Sequence, residues 1–134
     1  MKRRYPGESL QLVEMLCTDK IEFGGNITSM NTREQIHALS EEMLENLGKL
    51  VAVDSQLGTP SEGKPFGEGP AEALEIGLEI ARELGFKTVN LDNYCGYAEM
   101  GEGEEIVGIA GHLDIVPVGG DWTYDPFKLT RDGD

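Results

Sequence analysis

Apolar residues recur in steps of three or four along the first organised stretch of the chain, which begins at Met30. This spacing lays one apolar stripe along an α-helix. Thr32 and Gln35 form a capping-box pattern, in which each side chain can satisfy a backbone N–H group of the other residue. We therefore predict a helix from about Thr32 to the polar turn at Asp54-Ser55, and its apolar stripe consists of Ile36, Leu39, Met43, Leu47 and Leu50.

A second helical stripe follows a loop over residues 56–69 that is rich in Gly, Pro, Ser and Thr. Pro70 stands where the first turn of a helix accepts proline, because its missing N–H group would be unpaired there anyway. Gly85 stands where a left-handed C-terminal cap is expected. These signals predict a helix that begins near Gly69 and carries the stripe Ala73, Leu74, Gly77, Leu78, Ala81 and Leu84.

Beyond Gly85 the apolar pattern takes a period of two, which is typical of strands. Residues 86–92 predict a strand with one buried side, 94–100 its hairpin partner, and 101–104 a turn. Residues 106–111 are apolar throughout, as in an interior strand covered on both faces. Residues 128–134 look like a further strand that runs into a hairpin turn. The order predicts an α/β fold, with two helices followed by a mixed sheet, and an active site where central strands end.

The composition of the chain argues against some classes of binding partner but does not identify one. The chain has 25 acidic and 11 basic residues and a formal net charge of -14. This charge repels a phosphate backbone and argues against nucleic acid, although solubility alone would explain it. The sequence contains no run of about 18 apolar residues, the length that would predict a membrane span. The basic start Met1–Arg4 is not followed by an apolar signal core, so we expect a cytoplasmic protein.

Three further residues could carry chemistry but are expected to have no role in it. Cys17 and Cys95 show neither a disulfide framework nor a metal-binding spacing, so we expect free thiols, with Cys95 packed in a strand. His37 lies among polar neighbours in the first predicted helix, and we interpret it as a surface residue.

The candidate chemistry lies at His112 and Asp114, directly after the apolar run. In an extended chain, residues two apart point the same way, so both side chains share a face. A carboxylate beside a histidine can fix its tautomer and raise its basicity, as is common around zinc ligands. The tripeptide alone favours a histidine that simply bonds a nearby carbonyl group, and on the residues alone both interpretations stay open.

Longer motifs around this tripeptide resemble a known family. Gly111–Trp122 (GHLDIVPVGGDW), followed by Asp125-Pro126-Phe127, closely resembles the first active-site motif of the aminoacylase and dipeptidase family. Three further segments are similar to the peptidase V-like dipeptidases in particular: Pro65–Ala71, Leu84–Phe86, and Asp92–Tyr94 with Gly96-Tyr97. The resemblance runs from about Met30 to the last residue.

The resemblance implies a zinc-dependent dipeptidase that binds two zinc ions, with manganese or cobalt as alternatives, and acts on dipeptides or short peptides. His112 matches a zinc ligand. Asp114 matches the catalytic-site aspartate that orients this histidine without binding metal itself. Trp122 and residues 125–127 match positions that shape the following loop. The family's bridging Asp, general-base Glu and remaining ligands would follow beyond Asp134.

This comparison also implies a domain organisation. Residues 30–134 would be the N-terminal part of the metallopeptidase catalytic domain, and residues 1–29 an upstream extension or disordered lead. We expect the 134-residue chain alone to be inactive, because it supplies a single recognisable ligand. Two alternatives remain: an aminoacylase-like amide hydrolase of the same family, and a non-catalytic remnant or interaction domain.

Overall fold

The computed structural model describes residues 32–133 as three helices and one two-stranded sheet. The helices are α1 (Thr32–Ala38), α2 (Ser40–Val51) and α3 (Glu68–Glu83), and the strands are β1 (Lys87–Leu91) and β2 (Cys95–Glu99). None of these helices combines the length and apolar character needed to cross a membrane. The expectations for Cys17 and for residues 1–29 lie outside the described residues.

The first predicted helix is two helices, separated at Leu39. The amide of Leu39 donates to the carbonyl oxygens of both Gln35 and Ile36, at 3.3 and 3.2 Å. The hydroxyl of Ser40 donates to the carbonyl of His37 at 2.7 Å. Serine hydroxyls compete in this way with the helical backbone for its carbonyl groups. The predicted stripe also stays open to solvent, since Met43 is 59% exposed.

The second predicted helix is confirmed, including its end. After α3, Gly85 adopts a left-handed conformation with φ of 92°. Its amide donates to the carbonyl of Arg82, and the amide of Phe86 donates to the carbonyl of Ala81, both at 3.0 Å. This pair of bonds is the Schellman arrangement, which satisfies carbonyl groups that the helix leaves unpaired.

The predicted hairpin of β1 and β2 is also confirmed. Its turn has positive φ at two successive residues, Asp92 (53°) and Asn93 (56°), and the amide of Tyr94 donates to the carbonyl of Leu91. Two positive φ angles suit the right-handed twist of a hairpin, and Asp and Asn tolerate them better than most residues. The predicted burial of one strand side is wrong, because in β1 the half-buried residues Thr88 and Val89 are neighbours.

The prediction of strands over residues 106–111 and 128–134 is wrong, because the described residues of both ranges form no strand. Residues 106–111 form no ladder with another segment, and Ile106 and Ile109 are 71% and 89% exposed. A strand forms only where a neighbour pairs with its backbone, and an interior strand needs cover on both faces. Between residues 32 and 133 no segment supplies that pairing, so the sheet has two strands and is not mixed.

The described residues fall into two compact units. One contains residues 32–40 and 99–110, and the other contains residues 41–98 and 111–133. The small core of the second unit consists of Val53, Ala71, Ala73 and Leu78, with β1 packed along α3. Ser55 is also buried, and its hydroxyl donates to the segment that carries the site described next.

Candidate functional site

The segment that carries His112 and Asp114 is held against the turn that follows α2. The hydroxyl of Ser55 donates to the carbonyl of Leu113 at 2.8 Å, and the amide of Ile115 donates to the carbonyl of Ser55 at 3.4 Å. Gln56 and Ile115 form an isolated parallel bridge at the same place. The segment thus has a fixed backbone although no strand precedes it, and the prediction of a strand-end site is wrong in that respect.

Ser55 is a residue whose importance the sequence analysis missed, because Asp54-Ser55 was interpreted only as a helix-ending turn. Its exposed fraction is 2%. Val53 and Ser55 are both buried, whereas Asp54 between them is exposed. The amide of Ser55 donates to the carbonyl of Val53 at 2.9 Å, so the chain turns here, and no local pattern signals that the buried hydroxyl has a distant partner.

Leu113 anchors the same segment from its other side. An added Cβ atom on Gly77 of α3 would lie 3.0 Å from Cδ1 of Leu113, so the absence of a side chain at Gly77 makes room for this leucine. Because side chains alternate along an extended chain, Leu113 and its two neighbours lie on different sides of the segment. His112 and Asp114 are accordingly open to solvent, with side chains 81% and 63% exposed.

His112 and Asp114 are in direct contact, as their spacing predicted. Nδ1 of His112 lies 3.2 Å from Oδ1 of Asp114 and 3.0 Å from the backbone carbonyl oxygen of Asp114. The second contact matches the alternative given above, in which the histidine bonds a nearby carbonyl group. Both neighbours of Nδ1 are acceptors, an arrangement that favours the tautomer with its proton on Nδ1 and the lone pair on Nε2.

A mostly apolar groove of about 710 Å³ adjoins this pair within the second unit. Its lining combines residues of α3 and β2 with His112 and Asp114. Two of its aromatic side chains, Phe66 and Tyr94, meet edge to face with ring centroids 5.7 Å apart. The groove therefore places apolar surface next to an imidazole and a carboxylate.

Metal-ligating residue types are sparse around the pair. Across residues 32–133 there is no cluster of three or more His, Cys, Asp or Glu side chains that could hold a metal ion. Cys95 is exposed, so the prediction of a packed thiol is wrong, because β2 belongs to a two-stranded hairpin with little cover. His37 is exposed on α1, as predicted. The described residues thus fit one imidazole ligand with its orienting carboxylate, and they do not form a complete metal site.

The loop after the site is shaped by its own side chains. Nε1 of Trp122 donates to the carbonyl of Val118 at 2.6 Å. Oδ1 of Asp125 accepts the amide of Phe127 at 2.9 Å, and the carbonyl of Asp125 accepts the amide of Lys128 at 3.2 Å. These bonds close the turn locally, and none of them involves His112 or Asp114.

Comparison with known proteins gives relatives by sequence, whereas no protein-family model matches the chain. The chain is 40% identical over 105 residues to the Beta-Ala-Xaa dipeptidase of Lactobacillus delbrueckii subsp. lactis. This match covers 77% of this chain and 22% of the relative. A protein of Bacillus subtilis (strain 168) is 38% identical over 101 residues, covering 74% of this chain and 22% of the relative. A protein of Staphylococcus aureus (strain USA300) is 35% identical over 98 residues, covering 72% of this chain and 21% of the relative. Both are named as putative dipeptidases.

The chain therefore spans about a fifth of the length of the curated relatives it matches. These relatives confirm the resemblance to dipeptidases that the sequence motifs predicted. They do not test the roles of His112 and Asp114, which stay predictions.

Proposed function

Because this chain is a relative of dipeptidases over about three quarters of its length, we propose that it forms part of a zinc-dependent dipeptidase, in which His112 is a zinc ligand. The observation that carries the proposal is the contact of His112 Nδ1 with two acceptor oxygens of Asp114. The names of the relatives support the hydrolase class. The metal and the roles of the residues are our own inference.

The geometry supports Nε2 of His112 as the ligating atom. A neutral imidazole binds metal through a nitrogen lone pair, and the nitrogen that keeps its proton usually donates to a carboxylate or carbonyl group. Asp114 provides both kinds of acceptor to Nδ1. Its role is to hold the ring in one tautomer and one orientation, so it acts beside the metal and does not bind it.

A catalytic zinc site usually has about three protein ligands and a water molecule. Residues 32–133 provide one, so in this proposal the remaining ligands and the general base lie outside those residues. The chemistry that bound zinc supplies is polarisation of the substrate carbonyl group and a lowered pKa of bound water. The 134-residue chain by itself is then expected to have no dipeptidase activity.

The proposed substrates are dipeptides or short peptides, in keeping with the relatives' names. Those names also support a dipeptidase over an aminoacylase-like amide hydrolase. The net charge of -14 argues against nucleic acid as a partner. A cytoplasmic location remains a prediction from the sequence.

The test exploits the fact that the chain contains only two histidines, His37 and His112. Each ring gives its own proton resonance in NMR spectra, so zinc can be added stepwise while both rings are observed. We expect the His112 resonance to shift in a saturable manner while the His37 resonance stays unchanged. His112→Ala removes the responding signal, and His37→Ala serves as the matched control.

A zinc response that is the same at both rings, or absent at His112, would overturn the metal-site proposal. Hydrolysis of dipeptides by the purified 134-residue chain, abolished by His112→Ala, would overturn the expectation that the chain alone is inactive. The absence of a zinc response at His112 would favour the non-catalytic interaction domain, whereas the absence of hydrolysis by this chain alone is expected under the proposal.

A further inference from the structure

Ser55 lies far from the metal-binding chemistry in sequence but next to it in the fold. It is the one buried polar side chain among residues 32–133. We propose that Ser55 is a positioning residue that sets the orientation of His112 through the backbone of Asp114. This inference rests on the proposed function for its link to zinc, although its structural part can be tested without metal.

The two bonds of Ser55 bracket Asp114. The carbonyl of Leu113, which accepts the Ser55 hydroxyl, belongs to the peptide group that precedes Asp114. The amide of Ile115, which donates to the Ser55 carbonyl, belongs to the peptide group that follows it. Because φ and ψ describe rotation between these two groups, holding both restrains the backbone of Asp114 on each side.

The peptide groups on each side of Asp114 also determine where the two acceptors of the His112 ring lie. The group that follows Asp114 carries the carbonyl oxygen that lies 3.0 Å from Nδ1 of His112. The restrained backbone of Asp114 also sets the direction in which its carboxylate leaves the chain, and Oδ1 lies 3.2 Å from the same nitrogen. Both acceptors of the ring are therefore placed by a residue that never touches the ring.

Burial explains why serine suits this position. With an exposed fraction of 2%, Ser55 is shielded from water that would otherwise compete for its hydrogen bonds. Alanine would fill nearly the same space and remove only the hydroxyl group, leaving the Leu113 carbonyl without this donor. Leu113 would still pack against Gly77, so the segment would remain attached but lose its restraint beside Asp114.

The experiment compares Ser55→Ala with Val53→Ala in the 134-residue chain. Val53 is a buried neighbour of Ser55 that is 6% exposed, and its side chain cannot form hydrogen bonds. Val53→Ala therefore controls for a general loss of stability. We expect Ser55→Ala to change the resonances of the His112 ring and the Ile115 amide, and to weaken zinc binding at His112 about tenfold. Val53→Ala should lower the melting temperature and leave those resonances and the zinc affinity as in the unmodified chain.

The unmodified chain offers a second measurement that does not depend on a variant folding. The amide of Ile115 should exchange with solvent hydrogen more slowly than the amide of Val116, because only the former donates to Ser55. Equal exchange rates at the two amides would overturn the proposal. So would an unchanged His112 ring in Ser55→Ala, or equal effects of Ser55→Ala and Val53→Ala on it.

The failures of the two proposals are distinguishable. If zinc leaves the His112 resonance of the unmodified chain unchanged, the metal site falls. The exchange rate at Ile115 and the metal-free His112 resonance in Ser55→Ala then still decide whether Ser55 positions the ring.

Discussion

The hydroxyl of Ser55 donates to the carbonyl of Leu113, a residue 58 positions later in the chain, at 2.8 Å. Leu113 separates His112 from Asp114, so this bond connects the end of α2 to the candidate site. The site is thereby built on a contact between distant segments, and its stability depends on how those segments pack.

The carboxylate of Asp114 should contribute to metal binding through the His112 ring. In Asp114→Asn the amide nitrogen can face Nδ1, which places one donor against another, so the preference for this ring orientation weakens. We expect zinc affinity at His112 to fall about tenfold, measured from the ring resonance as zinc is added. Asp92→Asn removes the same charge in the β1–β2 turn and should leave the affinity unchanged. Equal affinities in the two variants would contradict the orienting role.

Gly77 should be intolerant of a branched side chain because of Leu113. A Cβ atom there already lies 3.0 Å from Cδ1 of Leu113, and the methyl groups of Gly77→Val would displace the leucine. We expect the free energy of unfolding to fall by about 1–3 kcal/mol, measured by urea denaturation. Glu79→Val places valine at an exposed position of the same helix. This control should cost less than about 0.5 kcal/mol. Valine has a higher helix propensity than glycine, so a loss in Gly77→Val cannot come from propensity, and an unchanged stability of Gly77→Val would contradict the packing on Leu113.

The start of α3 should be equally sensitive at Gly69. A Cβ atom at this residue would overlap the backbone carbonyl oxygen of Asp54, the neighbour of Ser55. Gly69→Ala must therefore separate α3 from the turn that holds the site, and we expect a loss of about 3 kcal/mol in unfolding free energy. The same denaturation measurement on Glu72→Ala, an exposed residue one turn further along α3, should give less than about 0.5 kcal/mol. A stable Gly69→Ala chain would show that this close approach is not required.

The core of the second unit should depend strongly on Leu78, which is 6% exposed. Leu78→Ala removes buried apolar atoms and leaves a cavity, so we expect a loss of about 2–5 kcal/mol. Leu57→Ala deletes the same atoms from a side chain that is 75% exposed, and its effect should stay within about 0.5 kcal/mol. Comparable losses in the two variants would mean that Leu78 does not anchor the core.

Features with local causes could be predicted from the sequence. The end of α3 depends on Gly85 and its immediate neighbours, so it was predicted correctly. The pairing of β1 with β2 was also predicted, although Asp92 belongs to the turn and not to the strand over residues 86–92. The contact of His112 with Asp114 has the same character, because it spans two residues of extended chain. The resemblance to dipeptidases came from the motifs that surround them.

Features that require a distant partner could not be predicted in this way. The apolar run over residues 106–111 has the composition of an interior strand, yet pairing depends on neighbours that no local pattern specifies. The break at Leu39 depends on a single serine hydroxyl that takes a helical carbonyl. Ser55 was missed because its partners, Leu113 and Ile115, are nearly sixty residues away.

The bridge between Gln56 and Ile115 also sets the register of the segment it joins. A slip by one residue would turn every side chain of an extended segment to the opposite face. Leu113 would then be presented to solvent, and His112 and Asp114 would be turned toward α3. The count of residues between the bridge and His112 is accordingly fixed by this register.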